Sequence, residues 1–371
     1  MPRKYAKKSS KVKNQRSKNK SWKLVKVFGK IKHGVKLAAL SFVCILISVI
    51  FMFGLYVFKV VKTPFASGIV NADLQDISKV ENLTLSFTVL EDSTSDVSKI
   101  KSLYLVILNT VYNTITLYEV PTTLSTDLPE RYGVGEISKV YALGESSAKG
   151  KGVILVNKTL EKLFAKRIDR YILTDAKGVN AVSDPLDIDK LEDLLKFVSV
   201  RNLSKSPQAL ALFKEHFETN LTFGELGYLG QFFYKVSDES ISRVLLSEVD
   251  ISNSTALDRR LKEVFVDSVI VQENKRVVVL NGAGVPKLGT TAARFLEKFG
   301  VSIADVDNAS KIYDKSVIVT STLESKTLER VSYELGILNV LNPEVKVEIV
   351  DDRAIAADIV VIVGIDYASS L

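Results

Sequence analysis

The sequence predicts a mixed α/β protein that follows a single membrane-spanning helix. Leu37–Phe58 is a stretch of 22 residues without one charged side chain. From residue 81 onward, patterns typical of strands alternate with patterns typical of helices, as in two-layer α/β domains. The only cysteine, Cys44, lies within the apolar stretch, so the folded part must be held by its own cores and not by a disulfide.

The apolar stretch is long enough to cross a bilayer. At about 1.5 Å per residue it forms a helix of roughly 33 Å, against a hydrocarbon core of about 30 Å. Residues 1–36 contain fourteen Lys or Arg, and the first acidic residue is Asp73. This asymmetry predicts a cytoplasmic N-terminus and an extracytoplasmic C-terminal part. A cleaved signal peptide is the competing interpretation, but Lys59-Val60-Val61-Lys62 follows the stretch instead of a small-residue cleavage site, so we predict a retained anchor.

The net charge of +7 combines a basic tail with an acidic body. Residues 63–371 contain 34 basic and 43 acidic residues and therefore carry a charge of −9. We expect the tail to lie on anionic lipid headgroups of the cytoplasmic membrane, and we predict no nucleic-acid partner. Binding of the tail to a cytoplasmic partner or to nucleic acid is the alternative.

The chain is predicted to contain two domains outside the membrane. Pro64, Ser67 and Gly68 lie in a segment with little apolar periodicity, which is typical of a spacer. The predicted parts are a basic cytoplasmic tail over 1–36, a transmembrane helix over 37–58, a juxtamembrane linker over 59–80, a mixed α/β domain over 81–250, a linker over 251–275 and a small two-layer α/β domain over 276–371.

The first of these domains begins with strand patterns. Leu83–Val89 alternates apolar and polar residues, which predicts a strand with one buried face. Leu103–Leu108 and Thr114–Val120 predict a hairpin whose first strand is central, because it is apolar on both faces. Thr222 followed by Glu225 has the spacing of a capping box. The further predicted elements are a helix over 153–164, a strand over 170–174 and helices over 186–200, 207–218 and 222–234.

The second domain begins with the strand Arg276–Leu280, which a glycine loop connects to a helix over Val285–Phe299. Gly300 and a later Gly336 have the positions expected of glycines that end helices. The remaining predicted elements are strands over 301–306 and 316–320, a helix over 323–335, and strands near 345–350 and 359–363.

The loop Gly282-Ala283-Gly284-Val285-Pro286-Lys287 could suggest a phosphate site, because a helix N-terminus binds anions. Lys287 replaces the third glycine of the dinucleotide fingerprint, so we interpret the loop as a tight strand-to-helix turn. Metal catalysis has little support either. His33 lies in the tail and His216 in a predicted helix, and the sequence has no His-Glu-x-x-His motif and no cysteine pair.

The second domain resembles the C-terminal domain of LytR-type cell-envelope proteins. The resemblance covers 276 to about 368 and rests on Val277–Pro286, Phe299-Gly300, Asp307-Asn308-Ala309 and Ala357–Asp366. It implies tethering outside the cytoplasmic membrane, which agrees with the topology predicted from charge.

The first domain resembles a divergent LytR-CpsA-Psr domain through landmarks that occur in the family's order. These landmarks are Leu105–Asn109 with Thr114–Pro121, Tyr141-Ala142-Leu143-Gly144, Ile168-Asp169-Arg170-Tyr171, and Thr219–Thr222 with Glu225-Leu226. In that family the domain transfers a glycopolymer from a polyprenyl-pyrophosphate carrier to peptidoglycan. The resemblance implies a diphosphate site built from arginines and aspartates, with a divalent metal.

Most of those functional positions are replaced here. Thr122 and Thr123 stand where the family has arginine and aspartate, and Lys101 stands where it has the aspartate on the metal side. Glu136-Ile137-Ser138 replaces the usual Lys-Ile-Asn. Phosphoryl transfer depends on cations around the transferring group, so these replacements predict little or no activity by the family's mechanism, and enzyme activity stays an open question.

Lys101 and Arg131 are the predicted phosphate-binding residues, with Lys99, Arg167, Arg170 and Arg201 as further candidates. We predict no catalytic, cofactor or metal-ligating residue. The leading hypothesis is an anchored envelope protein that binds or scaffolds a cell-wall polymer or a polyprenyl-linked precursor. One alternative is an active phosphotransferase, which alone would require Mg²⁺. The other is a membrane-bound regulator that acts through the basic tail.

Overall fold

The computed structural model describes residues 76–183, 215–252, 254–342 and 357–371, together with five residues of the apolar N-terminal stretch and Lys59. Several predicted parts of the chain lie outside these ranges. They are the basic tail, most of the predicted span, the linker over 60–75, the predicted helix over 186–200, most of the predicted helix over 207–218, and the predicted strand near 345–350. Within them, no helix is long and apolar enough to cross a membrane. The chain divides into two compact units, Met1–Thr63 and Pro64–Leu371, and the second unit contains both α/β domains.

A six-stranded mixed sheet forms the centre of the first domain. Its strands are β1 (Asn82–Leu90), β2 (Ile100–Asn109), β3 (Thr114–Val120), β6 (Arg170–Asp175), β7 (Glu218–Thr219) and β8 (Ile241–Leu245), and β4 (Ser125–Leu128) pairs with β5 (Gly133–Glu136) in a separate hairpin. The spatial order is β7-β6-β1-β2-β3-β8. The antiparallel pair β2–β3 confirms the predicted hairpin, and β2 is central as predicted.

The prediction that β1 has one buried face is wrong, because both faces are covered. Eight of its nine residues are buried, including Thr84, Ser86 and Thr88 on the polar face. That face tolerates burial because two of its hydroxyls form hydrogen bonds. Ser86 donates to Asn157 at 2.5 Å, and Thr84 donates to Asp169 at 2.6 Å.

Helices pack on both sides of this sheet. They are α1 (Val140–Ser147), α2 (Lys151–Phe164), α3 (Ala176–Ser183) and α4 (Phe223–Lys235). On α2, Val153, Val156, Leu160 and Phe164 form a buried apolar stripe at three- and four-residue spacing, and Leu163 beside them is half-buried. The capping box of α4 is confirmed, because Thr222 accepts from the Glu225 N–H while the Glu225 carboxylate accepts from the Thr222 N–H.

Residues 251–275, where the sequence suggested a linker, are mostly helical. Three helices lie in this region: α5 (Glu248–Ser252), α6 (Ser254–Phe265) and α7 (Ser268–Glu273). Leu257, Leu261 and Phe265 recur at four-residue spacing on one face of α6 and are buried. This connection therefore contributes to the core that both domains share.

The second domain is a five-stranded sheet with helices. Its elements are β9 (Arg276–Asn281), α8 (Leu288–Glu297), β10 (Ser302–Asn308), β11 (Val317–Thr320), α9 (Lys326–Leu335), β12 (Val340–Leu341), β13 (Ile359–Val363) and α10 (Ile365–Ser370). The strand order is β10-β9-β13-β11-β12. Gly300 and Gly336 have positive φ, as predicted for helix ends. The helix α9 begins later than predicted, because Ser325 caps it by accepting from the Leu328 N–H.

Buried charges join the two domains. Lys166, in the turn after α2, is 1% exposed, and its Nζ lies 3.1 Å from Glu334 of α9 and 3.7 Å from Asp169. Tyr333 of α9 donates a hydrogen bond to Asp169. Although burial acts to raise the pKa of Asp169, the Lys166 charge and the hydrogen bonds from Thr84 and Tyr333 lower it overall. Each buried charge therefore has partners from both domains.

The second domain also caps the C-terminus of α2. Arg294 of α8 donates to the carbonyls of Lys162 and Leu163 at 3.1 and 2.9 Å, and Lys298 donates to the carbonyl of Phe164. These carbonyls have no partners within a regular helix, and cations at this end are favoured by the helix dipole. Helix α2 is therefore held at its C-terminal end by the second domain.

Candidate functional site

The register across β1 defines two ends of the first sheet. Ile100, at the start of β2, pairs with Leu90, whereas Arg170, at the start of β6, pairs with Leu85. The two positions on β1 are about 16 Å apart, at roughly 3.3 Å per residue. We call them the Ile100 end and the Arg170 end.

Three of the replaced family positions lie at the Ile100 end. Lys101 is an exposed residue of β2, and Thr122 and Thr123 follow β3, whose Val120 pairs with Leu103. The Thr122 carbonyl accepts from the Ser138 N–H at 2.8 Å. Threonine hydroxyls supply neither the paired cationic donors that hold a diphosphate nor the carboxylate oxygens that Mg²⁺ prefers.

Carboxylates surround Tyr141 at this end of the sheet. Burial raises the pKa of the Tyr141 phenol to about 12, and the charges of Glu145, Glu218 and Asp96 act in the same direction. Burial also raises the pKa of Glu218, assisted by Glu145 and opposed by a hydrogen bond from Tyr171. Negative charge around this tyrosine is unfavourable for an anionic diphosphate.

The N-terminus of α2, which could otherwise bind phosphate, is occupied by a side chain of the protein. The two carboxylate oxygens of Glu145 accept from the N–H groups of Gly150 at 3.0 Å and Gly152 at 2.8 Å. Gly152 is required here, because an added Cβ would lie 2.7 Å from the Tyr141 ring. The internal carboxylate thus satisfies the donors that an anionic ligand would need.

Arg131, the second predicted phosphate-binding residue, lies elsewhere. It is exposed, has a φ of 64° in the connection between β4 and β5, and follows Glu130, which forms a 2.6 Å ion pair with Lys158 of α2. None of the contacts among the described ranges joins Arg131 to Lys101. The structure therefore does not bring the two predicted residues together.

Two other candidates, Arg167 and Arg170, do meet at the Arg170 end, where both line a cavity of about 180 Å³. Arg170 is buried and already paired. Its guanidinium contacts Glu225, with Nε 3.1 Å from the carboxylate, and donates to the Asp169 carbonyl at 2.7 Å. Lys99 is exposed near Glu136, and Arg201 lies outside the ranges that the structure describes.

The cavity is lined by polar groups that the sequence analysis missed. Asn157 and Glu161 come from α2, and Asn220 precedes α4. Burial raises the pKa of Glu161 to about 6, although hydrogen bonding from the Ile168 N–H and nearby cations oppose the shift. The sequence carried one signal, since Asn157 and Glu161 follow Val153 of the apolar stripe at four-residue spacing on α2.

Metal chemistry finds no support in this arrangement. Within the described part of the chain, no group of three or more His, Cys, Asp or Glu is placed to hold an ion. Lys101, at the position where the resemblance implies a metal-side aspartate, would repel a divalent cation. The described residues at this end of the sheet therefore do not fit the Mg²⁺ that the phosphotransferase alternative requires.

Comparison with known proteins identifies the class of the second domain. Residues 274–367 match the family model described as LytR cell envelope-related transcriptional attenuator. This stretch is therefore a LytR C-terminal domain, as the sequence predicted, on a mixed α/β protein. No curated protein matches the chain.

Several solved structures are similar to part of the chain. The transcriptional regulator yvhJ from Bacillus subtilis has 18% identity and a TM-score of 0.37, covering 46% of this chain and 84% of its own. B. subtilis TagV has 17% identity and a TM-score of 0.38, covering 46% and 85%. The LytR-CPS2A-psr family protein YwtF (TagT), solved with bound octaprenyl pyrophosphate lipid, has 13% identity and a TM-score of 0.35, covering 52% and 95%.

Proposed function

We propose that this chain is a membrane-anchored cell-envelope protein that binds envelope polymer or a lipid-linked precursor and does not transfer it. Its LytR C-terminal domain over 274–367 supports the assignment to the envelope. The ordered landmarks of the first domain, from Leu105 to Leu226, support a divergent LytR-CpsA-Psr domain beside it. The 22-residue apolar stretch behind fourteen basic residues supports an anchor with both domains outside the cytoplasm.

The surroundings of Tyr141 are the observation that carries the non-catalytic part of this proposal. Glu145 fills the N-terminus of α2, and Glu218 lies within the same negatively charged region. Thr122 and Thr123 supply no opposing cation. A transferring diphosphate beside Tyr141 would therefore meet carboxylates. The cations at this end, Lys99 and Lys101, are exposed single lysines and not the paired donors that hold a diphosphate.

The test uses the full-length chain in detergent micelles, with a polyprenyl-pyrophosphate-linked glycan, Mg²⁺ and purified cell-wall sacculi. We expect the chain to sediment with the sacculi or to retain the lipid-linked glycan, without Mg²⁺-dependent loss of the carrier diphosphate. Diphosphate release that requires Mg²⁺ and disappears in Lys101→Ala or Arg131→Ala would establish the phosphotransferase alternative instead. Binding of neither sacculi nor glycan would refute the proposed function.

The proposed location has its own test. Protease added to intact cells should digest 64–371 and leave the basic tail, residues 1–36, protected. Digestion of the tail with both domains protected would contradict the proposed topology. Loss of function after deletion of residues 1–20, with the anchor retained, would favour a regulator that acts through the tail.

A further inference from the structure

We propose that the cavity at the Arg170 end binds one uncharged sugar ring of an envelope glycan. The site is formed by Asn157, Glu161, Arg167 and Asn220. This inference rests on the proposed function only for the origin of the glycan, because the cavity itself can be tested with a defined oligosaccharide.

Asn157, Asn220 and Arg167 have hydrogen-bond donors without an acceptor among the described residues. Asn157 accepts from the Ser86 hydroxyl at 2.5 Å, and Asn220, which is 5% exposed, accepts from the Tyr171 N–H at 2.9 Å. Both amide oxygens are therefore used, whereas the two amide nitrogens have no acceptor among the described residues. Arg167 donates to the Tyr333 carbonyl through one terminal nitrogen, at 2.8 Å, and its guanidinium stacks 4.8 Å from the centre of the Tyr333 ring. The N–H groups of Nε and of the second terminal nitrogen have no acceptor among the described residues.

Glu161 supplies the complementary acceptor. One carboxylate oxygen accepts from the Ile168 N–H at 2.8 Å, and the other accepts from no described residue. A hydroxyl both donates and accepts, so a ring of hydroxyls can satisfy amide donors and a carboxylate acceptor within one small space. Convergence of a few polar groups on one concave site is the usual arrangement of a ligand pocket.

The charges favour a neutral ligand over a phosphate. Lys158 is paired with Glu130, and Arg170 is paired with Glu225, so two of the three cations at the cavity are already neutralised. Arg167 and Glu161 remain and have opposite charges. A phosphate would gain Arg167 and would meet the Glu161 carboxylate, whereas a sugar hydroxyl can bond to both.

Size and apolar lining agree with a single ring. A volume of about 180 Å³ lies below the roughly 300–1,000 Å³ of pockets that hold drug-sized ligands, so it is too small for a polymer segment. Val153, Ile154 and Ile168 contribute an apolar side, suited to the carbon face of a ring or to an acetyl methyl group. We therefore choose an oligomer of N-acetylglucosamine as the probe.

The experiment measures binding of tetra-N-acetylchitotetraose to the full-length chain in micelles by calorimetry. Asn157→Asp and Asn220→Asp keep the oxygens that accept from Ser86 and Tyr171 and remove the free amide donors. Each substitution should weaken binding by about 2- to 12-fold, as expected for one lost hydrogen bond. Asn308→Asp, the same change at an exposed position of β10, should leave the affinity unchanged.

The outcomes separate this inference from the proposed function. Equal affinity of the wild type and both cavity variants for the oligosaccharide would overturn the sugar site. The site would also be overturned if the chain sediments with sacculi and does not bind the oligosaccharide. Competition by inorganic pyrophosphate, lost in Arg167→Gln, would show that the cavity takes phosphate and would also overturn it. Failure to bind sacculi and lipid-linked glycan would instead refute the proposed function, whatever the oligosaccharide does.

Discussion

The two ends of the first sheet differ in how their polar side chains are used. At the Ile100 end, Glu145 fills the N-terminus of α2, and Glu218 adds negative charge beside it. At the Arg170 end, the buried Arg170 is paired, while Asn157 and Asn220 keep donors directed to no described residue. At the Ile100 end, the protein's own carboxylates thus take the place of an anionic ligand. At the Arg170 end, the amide donors of Asn157 and Asn220 remain available to a ligand. Under the proposed function, this difference would separate ligand binding at the Arg170 end from the transfer chemistry that the Ile100 end no longer supports.

The second domain supports the two ends unequally. Arg294 of α8 and Lys298, the residue after that helix, donate to the C-terminal carbonyls of α2, and Glu334 pairs with Lys166 beside β6. All three contacts lie near the Arg170 end. The LytR C-terminal domain therefore holds the cavity-lining part of α2 in place, and its removal should affect the cavity first.

The largest expected effect is that of Glu334→Ala. This change leaves Lys166, which is 1% exposed, without its nearest carboxylate at 3.1 Å. Loss of one partner of a buried pair costs about 3–5 kcal/mol, and we expect a decrease of that size in the free energy of unfolding, measured with denaturant. Glu329→Ala on the same helix breaks only an exposed pair with Lys326 and should cost less than about 1 kcal/mol. Equal effects of the two changes would mean that the domains are not joined through Lys166.

A smaller effect is expected from Glu161→Gln, and it depends on pH. The pKa of Glu161 is about 6 in the folded protein, whereas that of an ordinary glutamate is 4.5. Glu161 therefore stays protonated to a higher pH in the folded state than in the unfolded state. The wild type therefore loses stability as the pH rises from about 4.5 to about 6. The variant should be more stable than the wild type by about 1–2 kcal/mol at pH 7.5, and the difference should vanish below about pH 4.5. A difference independent of pH would contradict a raised pKa of Glu161 at the cavity.

The smallest effects are expected from Lys101→Ala and Arg131→Ala. Both side chains are exposed, so each change should alter the free energy of unfolding by less than about 0.5 kcal/mol. Sedimentation with sacculi should also be unchanged, because neither residue lines the cavity. Loss of binding in Lys101→Ala, with stability intact, would move the binding site to the Ile100 end.

Local patterns in the sequence predicted much of the fold. The hairpin β2–β3, the strand β9, the capping box at Thr222 and the glycine at position 300 were all visible, because each depends on residues close together in the chain. The identity of the second domain followed from one continuous stretch of motifs over 276–368.

Long-range contacts were not predictable in the same way. Lys166 and Glu334 are far apart in sequence, and nothing local marks either charge as buried. Asn157 and Glu161 look like surface residues of an amphipathic helix until Asn220 and Arg167 are placed beside them. The burial of the polar face of β1 likewise depends on Asn157 and Asp169, which belong to other elements.

The most direct measurement is a titration of the full-length chain, labelled at isoleucine methyl groups, with tetra-N-acetylchitotetraose by NMR. Ile154 and Ile168 line the cavity, whereas Ile100 and Ile137 lie at the other end of the sheet. We predict shifts of the first pair that saturate together, with the second pair unchanged. Saturating shifts confined to Ile100 and Ile137 would contradict the assignment of binding to the Arg170 end.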